Sequence, residues 1–307
     1  MNQSPHRLRV EDLTVVPPRR TGLLVATALT LAFLALLVWA IATNKAFAWP
    51  VVGKYLFHPS ILRGLGNTLL LTVTIMILAT VIGTVVAIMR LSPSRILQSF
   101  ANAYIWFFRG APALIQLIFW FNLAIIMPVI SLGLPGVGTL FSLRTNDVMT
   151  PFLTAVIALS LHEAGYMAEI IRAGITSVPA GQTEAASTLG MSRGRILRRI
   201  VLPQAMRFIV PPTGNEAINL MKATSLVTVI AVDDLLYSAQ TIYARTFETI
   251  PLLIVVAFWY LAVVTIMSIG QHFLEVHFNR SDSRGGGGGG FGRALRSAFG
   301  LSRGARA

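Results

Sequence analysis

Apolar residues in this chain come in long blocks, not at the spacing of a half-buried helix or the alternation of a half-buried strand. Six blocks reach the ~20 residues that a helix needs to cross a bilayer. They lie at about 22–42, 66–89, 111–130, 152–172, 208–232 and 251–273, with edges defined to within a few residues. Charged residues fall between the blocks, except in the fourth and fifth, where they and other polar residues recur at helical spacing. A basic segment between those two blocks predicts a pair of short helices. Pro179 suits a first turn, Gln182 to Leu189 is built mainly of helix formers, and Gly190 can take the conformation that ends a helix. Arg193 to Ile200 suits a second helix, which Pro203 is expected to stop. Small residues on the outer side of such a hairpin suit it to another protein's groove. The pattern predicts an all-α integral membrane protein of about six transmembrane helices.

Composition agrees: of 307 residues, 54% are hydrophobic and 12% charged, about half the charge of a soluble domain. Mean hydropathy is +0.70. The absence of cysteine removes disulfide frameworks and thiolate metal sites. The net charge of +13 would suit a nucleic-acid partner, but its distribution argues against one. With the N-terminus in the cytosol, Arg7, Arg9, Arg19, Arg20, Arg90, Arg95, Arg172, Arg193, Arg195, Arg198, Arg199, Arg207, Arg280, Arg284, Arg293, Arg296, Arg303 and Arg306 all fall on that side. Lys45, Lys54, Arg63, Arg144 and Arg245 fall outside, a ratio of eighteen to five that satisfies the positive-inside rule. The basic excess is topological and suits anionic lipid.

The chain divides into a basic cytosolic segment at 1–21, a first transmembrane helix with its outer loop at 22–58, a core at 59–280 and a tail at 281–307. The basic hairpin loop occupies 173–205. Arginines ahead of the first block would also suit a signal peptide, but its length and the lack of a small-x-small cleavage site favour a retained helix. The tail opens on a linker of six glycines, Gly285 to Gly290. Its basic end reads as disordered, with a membrane-surface segment as the alternative.

Ionisable groups inside a bilayer are expensive and usually face a cavity or a partner. In the fourth block His162, Tyr166 and Glu169 share one helical face, with Glu163 on a neighbouring edge. Glu169 can pair with Arg172 one turn on, either as a structural ion pair or beside solute. In the fifth block Asn215, Asn219 and Lys222 repeat the device, with Glu216 beside Asn219. Two such stripes on adjacent helices can line a common path, and its carboxylates and cation suit a zwitterionic solute. Lys222 has a structural alternative in pairing with Glu216 or an acid of the fourth block. His162 reads first as a packing residue.

The hairpin carries Glu184-Ala185-Ala186, then Gly190, then Ile200-Val201-Leu202-Pro203. That spacing resembles, position for position, the EAA signature of permease subunits in bacterial ATP-binding-cassette importers. Phe108-Arg109-Gly110-Ala111-Pro112 with Gln116 resembles the F-R-G-T-P-x-x-x-Q segment of permeases for polar amino acids, with Ala111 in place of threonine. There Gly110 and Pro112 break the chain and start a membrane helix, leaving Arg109 to snorkel at the interface. Gly66-Asn67-Thr68, Ala164-Gly165-Tyr166-Met167-Ala168-Glu169-Ile170-Ile171-Arg172 and Gly214-Asn215 through Lys222-Ala223-Thr224-Ser225-Leu226 match the same family, over about residues 60–278.

The resemblance implies a five-helix permease core behind an added N-terminal helix, in the bacterial plasma (inner) membrane with both termini cytoplasmic. It implies a second permease subunit, identical or different, two cytosolic ATP-binding subunits docked on the EAA loop, and an extracytoplasmic solute-binding protein. ATP and magnesium would act on the partner ATPase, with no cofactor on this chain. The sequence has no G-x-x-x-x-G-K-[ST] phosphate loop and no H-E-x-x-H, so a transport subunit is expected, not an enzyme. An ion-coupled secondary amino acid transporter is the alternative. It would use Glu163 and Glu216 for coupling and would not need the loop.

Overall fold

The computed structural model describes residues 21–134 and 138–279. The basic N-terminal segment and the glycine-rich tail lie outside them. The chain divides at Pro50 into two compact units. In the first, α1 (Thr21–Thr43) exposes apolar side chains on every side, as suits a helix with lipid for solvent. A turn at Lys45–Phe47 follows, capped by Asn44, whose Oδ1 accepts from the Ala46 N–H at 2.9 Å.

The second unit follows α2 (Trp49–Leu56) with the long α3 (Pro59–Leu91), then α4 (Arg95–Gly110), α5 (Ala113–Phe121) and α6 (Leu123–Ile126). A hairpin of β1 (Val129–Leu134) and β2 (Gly138–Arg144) leads through α7 (Thr145–Val148) into α8 (Pro151–Thr176). Next come α9 (Ala180–Thr188), α10 (Arg193–Ile196), α11 (Leu202–Ala223), α12 (Leu235–Thr246) and α13 (Thr249–Asn279). By length and composition α1, α3 and α13 can each cross a membrane, and the bent pair α4–α5 makes a fourth crossing if taken as one span. At 26 and 22 residues, α8 and α11 measure about 39 and 33 Å. They have the length to cross and carry the polar residues that lower their hydropathy.

The core gathers around α8, against which α3, α4, α5 and α11 pack. Ala79, Gly83 and Ala87 of α3 form a strip of small residues facing Ala164, Met167 and Ala168. A Cβ on Gly83 would lie 2.7 Å from the Met167 Cβ and 3.0 Å from the Ala164 carbonyl oxygen, so the helices meet nearly backbone to backbone. Lipid gives apolar surfaces no reason to associate, and close packing of this kind takes over.

Three expectations from sequence need correction. The third span was expected to run helical to 130, but its helix stops at Phe121, restarts for one turn and gives way to a strand at Val129. Pro128 biases Met127 away from helix, and Met127 shows it with φ −128° and ψ 82°. The fifth span is α-helical only to Ala223 and finishes as a 3-10 turn, Thr224–Ile230. Pro203 does not stop the second hairpin helix: α10 passes through a π turn, Leu197–Val201, straight into α11. There the Leu202 N–H reaches back five residues to the Leu197 carbonyl, and Pro203 takes a first-turn position where no N–H is needed.

Candidate functional site

The hairpin between α8 and α11 is shaped by its own sequence. Gly190 has φ +74°. Its N–H bonds the Ser187 carbonyl at 3.0 Å, while the Met191 N–H bonds the Ala186 carbonyl at 3.1 Å. That pair of bonds is the Schellman arrangement that ends α9. Ala186 is buried against Ile196 and Val201, correcting the expectation that the small residues all face outward. Glu184, Ala185, Gly190, Leu202 and Pro203 are exposed, and Ile200 is half-buried. The Gln204 amide ties α9 to α11 by donating to Gln182 Oε1 at 2.6 Å and to the Ile200 carbonyl at 2.9 Å. The result is a firm hairpin with one packed side and one open side, the latter including Leu189, 82% exposed.

The chain turns by 99° between α4 and α5, at the predicted Gly110–Pro112 break. Breaking a helix orphans its last carbonyls, and Gln116 satisfies two of them. Its Nε2 donates to Phe108 at 3.0 Å and Ala111 at 2.9 Å, and lies 3.2 Å from Nδ1 of His162. The His162 and Tyr166 rings meet at a tilt of 53° with centroids 5.4 Å apart, and the Arg109 guanidinium sits 4.9 Å over the Tyr166 ring. Arg109 also comes within 3.8 Å of Glu169, whose carboxylate pairs with Arg90 of α3 and, at 3.0 Å, with Arg172. Glu169 therefore joins α3, α4 and α8, and Arg90 is a partner that the sequence alone did not suggest. Its position in another helix left no local signal.

Glu163 points to the other side of α8. It is 5% exposed, its Oε1 has no hydrogen-bond partner, and Glu216 of α11 lies within reach of its carboxyl. Asn215, Asn219 and Lys222 turn toward α13, where with Ser268, Gln271, His272 and Glu275 they line a cavity of about 450 Å³. Lys222 makes no ion pair with Glu216 or with an α8 acid among the described residues. Among the described residues the two polar stripes meet at Glu163 and Glu216, and Tyr166 belongs with the Glu169 cluster. The α13 residues were missed from sequence, although Ser268, Gln271, His272 and Glu275 follow i, i+3, i+4, i+7.

At the opposite end of the bundle from the hairpin, Asn67 and Thr68 hold the loop before α12. The Asn67 amide donates to the Asp233 carbonyl at 2.7 Å, and the Leu235 N–H donates to the Thr68 hydroxyl at 3.0 Å. Asp234 caps α12, accepting from the Tyr237 N–H at 2.8 Å and the Thr228 hydroxyl at 2.9 Å. Burial pushes its carboxyl up, and those hydrogen bonds pull it back.

The profile of the family described as binding-protein-dependent transport system inner membrane component matches residues 79–279. The chain is 42% identical to the arginine transport system permease protein ArgU of Corynebacterium glutamicum, over 92% of this chain and 89% of that protein. It is 35% identical to the L-cystine transport system permease protein TcyB of Bacillus subtilis, over 78% and 95%. The crystal structure of an amino acid ABC transporter with histidines superposes with a TM-score of 0.62 at 30% identity, over 72% of this chain and 95% of that one. The MetNI methionine ABC transporter in an inward-facing conformation gives 0.58 at 17% identity, over 71% and 96%, and shares the fold. Four helices packed around α8, a hairpin with one open side and relatives that agree across the core lead to one assignment: the chain belongs to the binding-protein-dependent inner membrane components, as an amino acid ABC transporter permease subunit of the polar amino acid family.

Proposed function

We propose that this permease imports a cationic amino acid, driven by ATP hydrolysis on a separate cytosolic ATPase that docks on the α9–α10 hairpin. The observation that carries the solute class is the Glu163–Glu216 pair. Two carboxylates this close repel unless a proton or a cation lies between them, and Glu163 keeps one buried oxygen without a partner. A guanidinium or ammonium group supplies the missing donor and charge. The 42% identity to an arginine transport permease supports the same class. Asn215, Asn219 and Lys222, with the α13 residues, offer amides and a cation for the α-carboxylate.

The open side of the hairpin, with Glu184, Ala185 and Gly190 exposed, supports the docking role, as does the rigidity supplied by Ala186, Ile196 and Val201. Because α10 continues into α11, a push on the hairpin moves the helix that bears Glu216. Alternation between two access states follows if ATP binding closes the ATPases. The partners of this reading are those ATPases with their ATP and magnesium, a second permease subunit and an extracytoplasmic binding protein. Both termini lie in the cytoplasm.

The test is to purify the chain in nanodiscs with whatever co-purifies, reconstitute that assembly and measure uptake of labelled arginine, glutamate and leucine. ATP-dependent uptake selective for arginine is expected. Uptake driven by an ion gradient without ATP would overturn the coupling. Selective uptake of glutamate or leucine would overturn the solute class.

A further inference from the structure

The face of α4 that turns away from the bundle has a chemistry of its own. Ala101 and Ile105 are buried, with Tyr104 and Phe108 partly so. A second stripe at i, i+4, i+7, i+11, formed by Ile96, Phe100, Ala103 and Phe107, is exposed, with Ile96 at 79% and Phe100 at 70%. A third carries Arg95, Ser99 and Asn102, all exposed. Trp106, 77% exposed, continues the third stripe at i+4 from Asn102 and neighbours Ala103 of the second at i+3. At 100° per residue the three stripes divide the helix into thirds: one for protein, one apolar, one polar.

That division suits a helix lying flat in the membrane surface, with protein beside it, acyl chains below and water above. The connections agree. Only Ser92 to Ser94 separate the end of the crossing helix α3 from α4, and the 99° turn into α5 sends the chain back across. Tryptophan favours the headgroup level of a membrane interface, which is where the third stripe puts Trp106. Along its first turns Arg95, Ile96, Ser99, Phe100 and Ala103, all on this one helix, border a shallow, open groove. No acid among the described residues pairs with Arg95, whereas Arg90, Arg109 and Arg172 on the same side all converge on Glu169.

We infer that α4 is an in-plane helix whose groove binds an anionic phospholipid, the acyl chain against Ile96, Phe100 and Ala103 and the headgroup phosphate at Arg95 and Ser99. Charge complementarity selects this occupant: a cation and a hydroxyl at the edge of an exposed apolar stripe match a phosphate above a hydrocarbon chain. The site stands apart from the solute path, and its reading does not rest on the proposed function.

Trp106 supplies the probe. The full chain is reconstituted in bilayers containing brominated phosphatidylglycerol or brominated phosphatidylcholine. The Trp106 signal is taken as the difference from a Trp106→Phe variant. Both lipids should quench it, with phosphatidylglycerol effective at about one fifth of the mole fraction, the factor that one basic residue near an anionic surface contributes. Arg95→Gln should erase the preference while leaving quenching by both lipids. Ser99→Glu, which keeps Arg95 and adds a negative charge to the groove, should do the same if Arg95→Gln fails to fold. Equal quenching by the two lipids in the unmodified chain would overturn the inference, as would a preference that survives both substitutions. Quenching by neither would mean that a second copy or another subunit covers the face, and would overturn it too.

Discussion

Glu169→Gln separates a structural role from a solute-binding one, and the structure sets the scale of the effect. The substitution keeps the shape and removes the charge on which three guanidiniums converge. The Arg172 partner lies three residues away on the same helix, and an i, i+3 pair within one helix contributes about 0.3–0.5 kcal/mol. Arg90 comes from α3, and a charged hydrogen bond between helices in a partly shielded place is worth about 1.5–3 kcal/mol. Arg109, at 3.8 Å and 41% exposed, adds less, and its contact with Tyr166 survives the change. The expected loss is about 2–3 kcal/mol in unfolding free energy, most of it from the link between α3 and α8. Titration with SDS in mixed micelles measures this loss, and solute affinity is measured on the same preparation. Arg90→Ala should lose nearly as much, and Arg172→Ala much less. A Glu169→Gln protein within about 0.5 kcal/mol of the parent, with solute affinity down ten-fold, would refute the structural assignment and move Glu169 into the solute path.

Gly190→Val should abolish co-purification of the ATPase and ATP-driven uptake. No atom lies within 4 Å of the Cβ that it adds, so the change acts through a left-handed backbone that costs an L-residue about 1–2 kcal/mol. Gly190→Asn, a residue tolerated there, should retain both, and normal uptake by the Val variant would count against docking at this turn. Lys222→Ala should lower arginine uptake while the ATPase still assembles, and unchanged affinity and rate would remove Lys222 from the path. Gly83→Leu should force α3 from α8 and lower stability by about 1–3 kcal/mol. An unchanged melting profile would mean that the helices do not meet as closely as Met167 and Ala164 require.

The spans, the hairpin and its terminating glycine could be read from the sequence because each depends on neighbours in the chain. Length and hydropathy define a lipid-crossing helix, and Gly190 ends α9 by local backbone geometry. The Gly110–Pro112 break and the helical faces of α8 and α11 were equally local. What the sequence could not supply was which face meets which. Spacing placed Glu163, Tyr166, Asn215 and Lys222 on two stripes, but packing around α8 sent Tyr166 to Arg109, Glu163 to Glu216, and Asn215 and Lys222 to α13. Arg90 reaches Glu169 only because Ala79, Gly83 and Ala87 let α3 approach closely. The passage of Pro203 through a π turn was equally hidden, since a proline's effect depends on whether the carbonyl four residues earlier can be displaced. Sequence determined where the chain crosses and bends, because solvation and local backbone energy act residue by residue. Only the tertiary structure decided which charges neutralise one another, because that depends on distances between helices far apart in the chain.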